Sequence, residues 1–198
     1  MPWWIQPNTG DHRQVQTLYT YDENDQEIAP KLLPMKTTVP GPEWRPLRFI
    51  MHSKHKIIPD IATGPRSGMM LVSSKVKAMI EKMDPVQHHY IPLEIRRKNG
   101  ILVEQEFYLF KFGSFVDGVV IEQSQVYKKI DSDGELWGLG SSISAKFVWR
   151  ASAIKGRHIW GDKYLINDVF CSDEFMAELE QQKIKVFNKI KSYMATEH

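Results

Sequence analysis

The chain has 198 residues, of which 42% are hydrophobic and 25% charged, and 26 basic against 24 acidic side chains leave a formal net charge of +2. That composition excludes a disordered, collagen-like or coiled-coil chain, and the charge lacks the strong basic excess of a dedicated nucleic-acid binder. One cysteine, Cys171, allows neither an internal disulfide nor a thiolate zinc cage.

The N-terminal stretch Met1-Pro2-Trp3-Trp4-Ile5 lacks a basic region, an apolar core and a small-residue cleavage site. No apolar run reaches the roughly 18 residues of a membrane-spanning helix. A cytoplasmic location is therefore expected. Residues 1–30 carry Asp11, Asp22, Glu23, Asp25 and Glu27 against Arg13 alone, a local charge of −4, so the remainder carries +6. The run from Asp22 to Glu27 reads either as a solvated loop or as an acidic element that meets a basic partner surface. Seven of the eleven prolines precede residue 50 and none follows Pro92. Proline removes a ladder donor, so residues 30–66 are expected to be extended loop and edge segments.

The first helix is predicted over about 74–83. Val76, Met79, Ile80 and Met83 fall on one face, Ser73 or Ser74 caps the start, and Asp84-Pro85 stops it. Ile91, Leu93 and Ile95 alternate as a strand, with Pro92 pointing to an edge position. Asn99-Gly100 is a hairpin signal, expected to hold both residues at positive φ, and 101–112 reads as a long return strand. Further strands are expected at 115–121, 124–130 and 135–139, the last two joined through Asp131-Ser132-Asp133-Gly134, and short ones at 146–151 and 157–160. A second helix is predicted over about 173–182, capped by Ser172, with Asp173 and Glu174 complementing its dipole. Residues 183–190 read as a terminal strand.

The two helix starts echo one another at an offset of 99 residues: Val72 to Glu81 lies over Cys171 to Glu180, with serine, alanine and glutamate recurring. The fold class expected is α+β: one domain over 1–198, a mostly antiparallel, hairpin-rich sheet with two principal helices, read as two related strand–helix–strand units. Residues 1–66 form its proline-rich N-terminal part and 67–198 its main core. No short-period repeat suggests a solenoid or propeller.

Ala153-Ile154-Lys155-Gly156-Arg157-His158-Ile159-Trp160, Val169-Phe170-Cys171-Ser172-Asp173-Glu174-Phe175 and the run from Leu179 to Phe187, together with Met70-Leu71-Val72-Ser73, resemble the signature of the Imm11 family. The chain departs from that pattern at Val186, where the family often has glycine before the last aromatic. The resemblance implies a bacterial immunity protein encoded beside a polymorphic toxin of the type VI or Rhs kind, which binds and neutralises that toxin. It supplies no catalytic residue.

Catalytic templates fit poorly. Gly64-Pro65-Arg66-Ser67-Gly68 loses an amide donor to proline and lacks the Lys-Ser/Thr pair of a phosphate loop, and Gly138-Leu139-Gly140 lacks a third glycine. His52 and His55 have a lysine between them, and His88 and His89 on a strand point to opposite faces, so no metal site is expected. Cys171 ends an apolar run and reads as a small buried hydrophobe. Trp44, Arg45, Arg48, Phe49, Lys54, His55, Lys56 and Arg66 interleave basic and aromatic residues as single-strand binders do, but the prolines favour a loop-rich surface.

The reading is therefore a stoichiometric binder of a cognate toxin domain, not an enzyme, with no cofactor, no metal and no catalytic residue. The candidate toxin-binding residues are Asp22, Glu23, Asp25 and Glu27, and the hairpin residues Asp131, Asp133, Glu135 and Trp137. Carboxylates there could fill a basic toxin cleft. The alternatives are an enzyme that reverses toxin damage and a nucleic-acid-binding module.

Overall fold

A computed structural model describes residues 1–6, 18–21, 27–28, 47–51, 58–63, 70–97, 99–131, 134–139, 146–165, 168–186 and 188–194. It shows a mixed α+β fold in which two large sheets enclose a shared core. The strands are β1 (Trp3–Gln6), β2 (Leu18–Tyr21), β3 (Glu27–Ile28), β4 (Leu47–Met51), β5 (Ile61–Thr63), β6 (Met70–Ser73), β7 (His89–Arg97), β8 (Phe107–Lys111), β9 (Phe115–Val116), β10 (Val126–Asp131), β11 (Gly134–Leu139), β12 (Val148–Trp149), β13 (Ile159–Asp162), β14 (Val169–Cys171), β15 (Asn188–Lys191) and β16 (Tyr193–Met194). The helices are α1 (Ser74–Met83), the single turn α2 (Ala151–Ile154) and α3 (Asp173–Gln181).

One sheet has seven strands in the order β3-β2-β4-β7-β8-β6-β5 and the other five in the order β15-β1-β14-β13-β9. Antiparallel pairing dominates. The parallel pairs among the described residues are β4–β7, β9–β13 and β12–β16.

The echo between the two helix starts is structural. Ser73 caps α1 by accepting from the Val76 amide, and Ser172 caps α3 by accepting from the Phe175 amide. Such a side chain satisfies a donor that the first helical turn leaves free. Val76 and Ile80 of α1, and Phe175 and Leu179 of α3, occupy matching positions and are all 0% exposed. Each helix also joins two parallel strands with an antiparallel one between them. α1 links β6 to β7 around β8, and α3 links β14 to β15 around β1. Both are split βαβ units.

Strand alternation sorts the core. Met70 and Val72 of β6, and Ile5, Val169 and Cys171 of the five-stranded sheet, meet both long helices in one cluster. Leu71, Ile91, Phe107 and Leu109 pack on the far face of the seven-stranded sheet, and Trp4, Trp149, Trp160 and Phe170 on the far face of the other. Period-two burial on both faces explains why β6, β13 and β14 are buried at every position.

Asp84 ties the two halves together. It ends α1 and its Oδ2 accepts the amides of His158 (2.7 Å) and Ile159 (2.9 Å), while Oδ1 accepts that of Val86 (2.9 Å). His88 Nε2 lies 3.3 Å from Oδ1, with both side chains almost wholly buried, and His88 Nδ1 accepts the Gly113 amide (3.2 Å). That bond places the ring proton on Nε2, facing the carboxylate. A Cβ on Gly113 would fall 1.9 Å from the Gln87 carbonyl oxygen, so only glycine brings its amide to the histidine.

Several local expectations need correction. Pro92 lies in β7, an interior strand, not at a sheet edge. The ladder with β8 covers His89 to Leu93 and the parallel ladder with β4 covers Leu93 to Arg97, so the two overlap only at Leu93 and proline sits where β7 is paired on the β8 side alone. Residues 1–66 likewise supply the interior strands β1 and β4 as well as edges. The Asn99-Gly100 turn forms, but Gly100 alone takes positive φ (+82°). The return strand is interrupted between a single bridge at Leu102 and the start of β8. The expected strand at 115–121 ends after Val116 and gives way to a 3-10 turn at Ile121–Gln123. The segment after α3 turns before it extends. Lys183 takes φ +57°, its amide bonds the Glu180 carbonyl, and the Ile184 amide bonds that of Leu179. This is a Schellman closure with lysine in the position usually held by glycine. β15 starts only at Asn188.

Candidate functional site

Antiparallel pairing of β13 with β14 puts Ile159 opposite Cys171, which brings the chain entering β13 beside the chain leaving β14. The Ser172 amide bonds the His158 carbonyl, and the Ser172 hydroxyl lies 3.0 Å from His158 Nδ1. Gly156, at φ +72°, makes the turn from α2 into this strand, a conformation that other residues adopt only with strain. Between α2, the start of α3 and β16 lies a cleft of about 580 Å³. Lys155, Arg157, His158, Asp173 and Glu174 supply its charge, and Met1 and Met194 its apolar rim.

One of the two carboxylates in this cleft is engaged. Asp173 accepts the Trp3 indole proton (2.7 Å) and pairs with the Met1 amino group, which holds it below the usual carboxylate range. The Ser172 hydroxyl and the residue's own amide hold Glu174 below that range too. The cations are less satisfied. Arg157 Nη2 donates to Ser114 Oγ (3.0 Å), but its Nη1 is buried without a partner. Among the described residues nothing pairs with Lys155, which is exposed. Trp160 is 1% exposed, lines the cleft, and its indole Nε1 has no hydrogen-bond partner.

Ser172 and His158 stand at the separation of a nucleophile and its base. Ser172 Oγ, however, already accepts the Phe175 amide (3.1 Å) as the cap of α3. Among the described residues no hydrogen bond orients the other ring nitrogen of His158. The geometry suits recognition: fixed donors, uncompensated positive charge and an apolar rim.

The sequence-predicted residues lie elsewhere. Glu27 is in β3, the edge of the seven-stranded sheet, opposite Tyr21. Asp22, Glu23 and Asp25 lie outside the described residues. β10 and β11 form a separate two-stranded ribbon in which Asp131 pairs with Gly134, Ile130 with Glu135 and Lys128 with Trp137. Asp133 lies outside the described residues. Glu27 thus belongs to a different sheet from Asp131 and Glu135. His52, His55, Gly64 to Gly68, Trp44, Arg45 and Arg66 also lie outside the described residues.

Cys171 is 0% exposed, and burial pushes its thiol well above the usual range. Among the described residues no group of three or more histidine, cysteine or carboxylate side chains could hold a metal, and no helix is long and apolar enough to cross a membrane. Of the cleft residues, Ser172, Asp173 and Glu174 are legible in the sequence as the capped acidic first turn of α3, and Lys155 to His158 fall within a stretch that carries the family resemblance, whereas Met1 and Met194 carry no such signal. The model of the immunity protein family Imm11 matches residues 4–192. No curated protein matches the chain.

Proposed function

The chain belongs to the Imm11 family of immunity proteins, and from that premise we propose that it neutralises a cognate bacterial toxin by binding it one to one and covering its active site or functional surface. It acts in the cytoplasm of the cell that makes it, on an effector of the type VI or Rhs kind encoded nearby. Family membership over nearly the whole chain carries the reading. The fold is consistent with binding in having a rimmed cleft and a separate two-stranded β-ribbon. A binder of this kind needs roughly 800 Å² on each side, with a few anchors that dominate the energy.

Trp4, Trp149 and Trp160 are core residues, which leaves Trp3 and Trp137, with Trp44 outside the described residues, as candidate aromatic anchors. The acidic turn of the β10–β11 ribbon enters a basic toxin cleft in place of phosphates, with Glu27 and its neighbours as a second acidic contact.

The test is a titration of purified toxin with purified protein. Inhibition should be complete at one equivalent, with a complex that co-elutes. Protection by far less than one equivalent would point instead to an enzyme that reverses the damage, and absence of a complex would end the reading.

A further inference from the structure

We propose that the cleft between α2, the start of α3 and β16 receives an acidic side chain from the toxin, seated against Lys155 and Arg157 under the rim formed by Met1 and Met194. This rests on the toxin-binding reading above and says which described surface is used and what chemistry it recognises.

The first argument is charge. Two carboxylates and three basic groups line this cleft. Asp173 is engaged from within the chain by the Trp3 indole and the Met1 amino group, whereas Glu174 is exposed. The unmet demand is positive, on Lys155 and on Arg157 Nη1. Arg157 Nη1 is closed to solvent, so the accessible cation is the exposed Lys155 ammonium, which an incoming carboxylate meets in a charge-assisted bond with the Arg157 charge nearby. A basic side chain entering here would find Asp173 already paired and would be repelled by Lys155 and Arg157. Trp160 adds a buried donor without an acceptor on the same wall.

The second argument is the rim. Among the described residues five large hydrophobic side chains are exposed, and two of them, Met1 (54%) and Met194 (38%), line this cleft. An apolar collar around a charged recess is the anatomy of a protein-binding hot spot, where the collar excludes water and strengthens the polar contact inside. Methionine adapts its shape to the surface it meets. A small free anion would leave that collar unused. The recess, about 580 Å³, has room for one acidic residue and parts of its neighbours.

Binding is measured between the purified toxin domain encoded beside this gene and three forms of the full chain: wild type, Lys155→Glu and Met194→Glu. Both substituted side chains are exposed, so folding is expected to survive, and circular dichroism verifies it. Each variant should bind about tenfold or more weakly, and Lys155→Glu should also reduce the salt dependence of association. A reversed charge on one acidic toxin residue should restore binding to Lys155→Glu. If wild type binds and both folded variants bind equally well, the cleft assignment is wrong while toxin binding stands. If wild type forms no complex, both fall together.

Discussion

The carboxylate of Asp84, which closes the first long helix, accepts the main-chain amide of His158 at 2.7 Å across a sequence separation of 74 residues. It joins the end of one split βαβ unit to the strand beside the other. The side chain is fully buried, yet Asp84 stays ionised. Burial alone would raise its pKa, but hydrogen bonds from His88 and from the amides of Ile159, Val86 and His158 outweigh it and hold the pKa at about 2.

Replacing Asp84 with alanine strands three amides and should cost about 3 kcal/mol or more, read by chemical denaturation at pH 7. The acid dependence follows from the same group. Folding lowers its pKa from 3.8 to about 2, so the stabilisation is complete above about pH 4 and is lost as pH falls toward 2. Wild type should lose stability across that window, and Asp84→Asn should be less stable at pH 7 and lose less between pH 4 and pH 2. Equal pH profiles would show that the carboxylate charge is not what holds the junction.

Asp168 behaves in the opposite sense. Burial pushes its pKa up to about 7, against a smaller lowering effect of the Trp4 indole donor at 3.1 Å. The native state binds this proton more tightly than the unfolded chain, so its contribution falls as pH rises from about 4 to about 7. Asp168→Asn keeps an acceptor for Trp4 and removes the buried charge. It should gain on the order of 2 kcal/mol at pH 7 and flatten the profile across that range. A loss of stability at pH 7 would count against a buried, strained carboxylate.

Lys183 occupies the left-handed closing position of the second long helix, at φ +57°. Glycine adopts that conformation without a Cβ penalty but loses more entropy on folding. The net expectation for Lys183→Gly is a gain of about 0.5–1 kcal/mol, visible as a higher denaturation midpoint with an unchanged slope. Lys183→Val should lose stability, because a β-branched side chain resists positive φ.

Charge reversal of Asp131, Asp133 and Glu135 together tests the ribbon. Association with the toxin should slow and its salt sensitivity should fall, with little change in the dissociation rate. Stopped-flow mixing at several salt concentrations separates these. A triple variant that binds and protects like wild type would remove the ribbon from the interface.

The features legible in the sequence were those written locally. Ser73 and Ser172 announce their helices because a cap must sit next to the turn it satisfies, and Val76, Ile80, Phe175 and Leu179 repeat at the helical period. Ile91 and Ile95 mark β7 by alternation. The pairing of β4 with β7 left no such trace, because parallel neighbours far apart in sequence share no turn. That is why Pro92 was misplaced at an edge. The closure at Lys183 escaped because lysine is not a stop signal. The cleft was hidden for the same reason as β4. Lys155 to His158 and Ser172 to Glu174 meet only through the register of β13 on β14.

The position of β1 sets a timetable. Its ladder partners are Val169 to Cys171 on one side and Asn188 to Lys191 on the other. A ribosome must release the chain as far as β14 before Trp3, Trp4 and Ile5 have any ladder neighbour to pair with. The strands of the seven-stranded sheet, all drawn from residues 18–111, can assemble well before then. During synthesis β1 therefore stays without a ladder partner until β14 has been made, the kind of exposed apolar stretch that chaperones shield. A chain cut short before Val169 would leave β1 with neither partner strand.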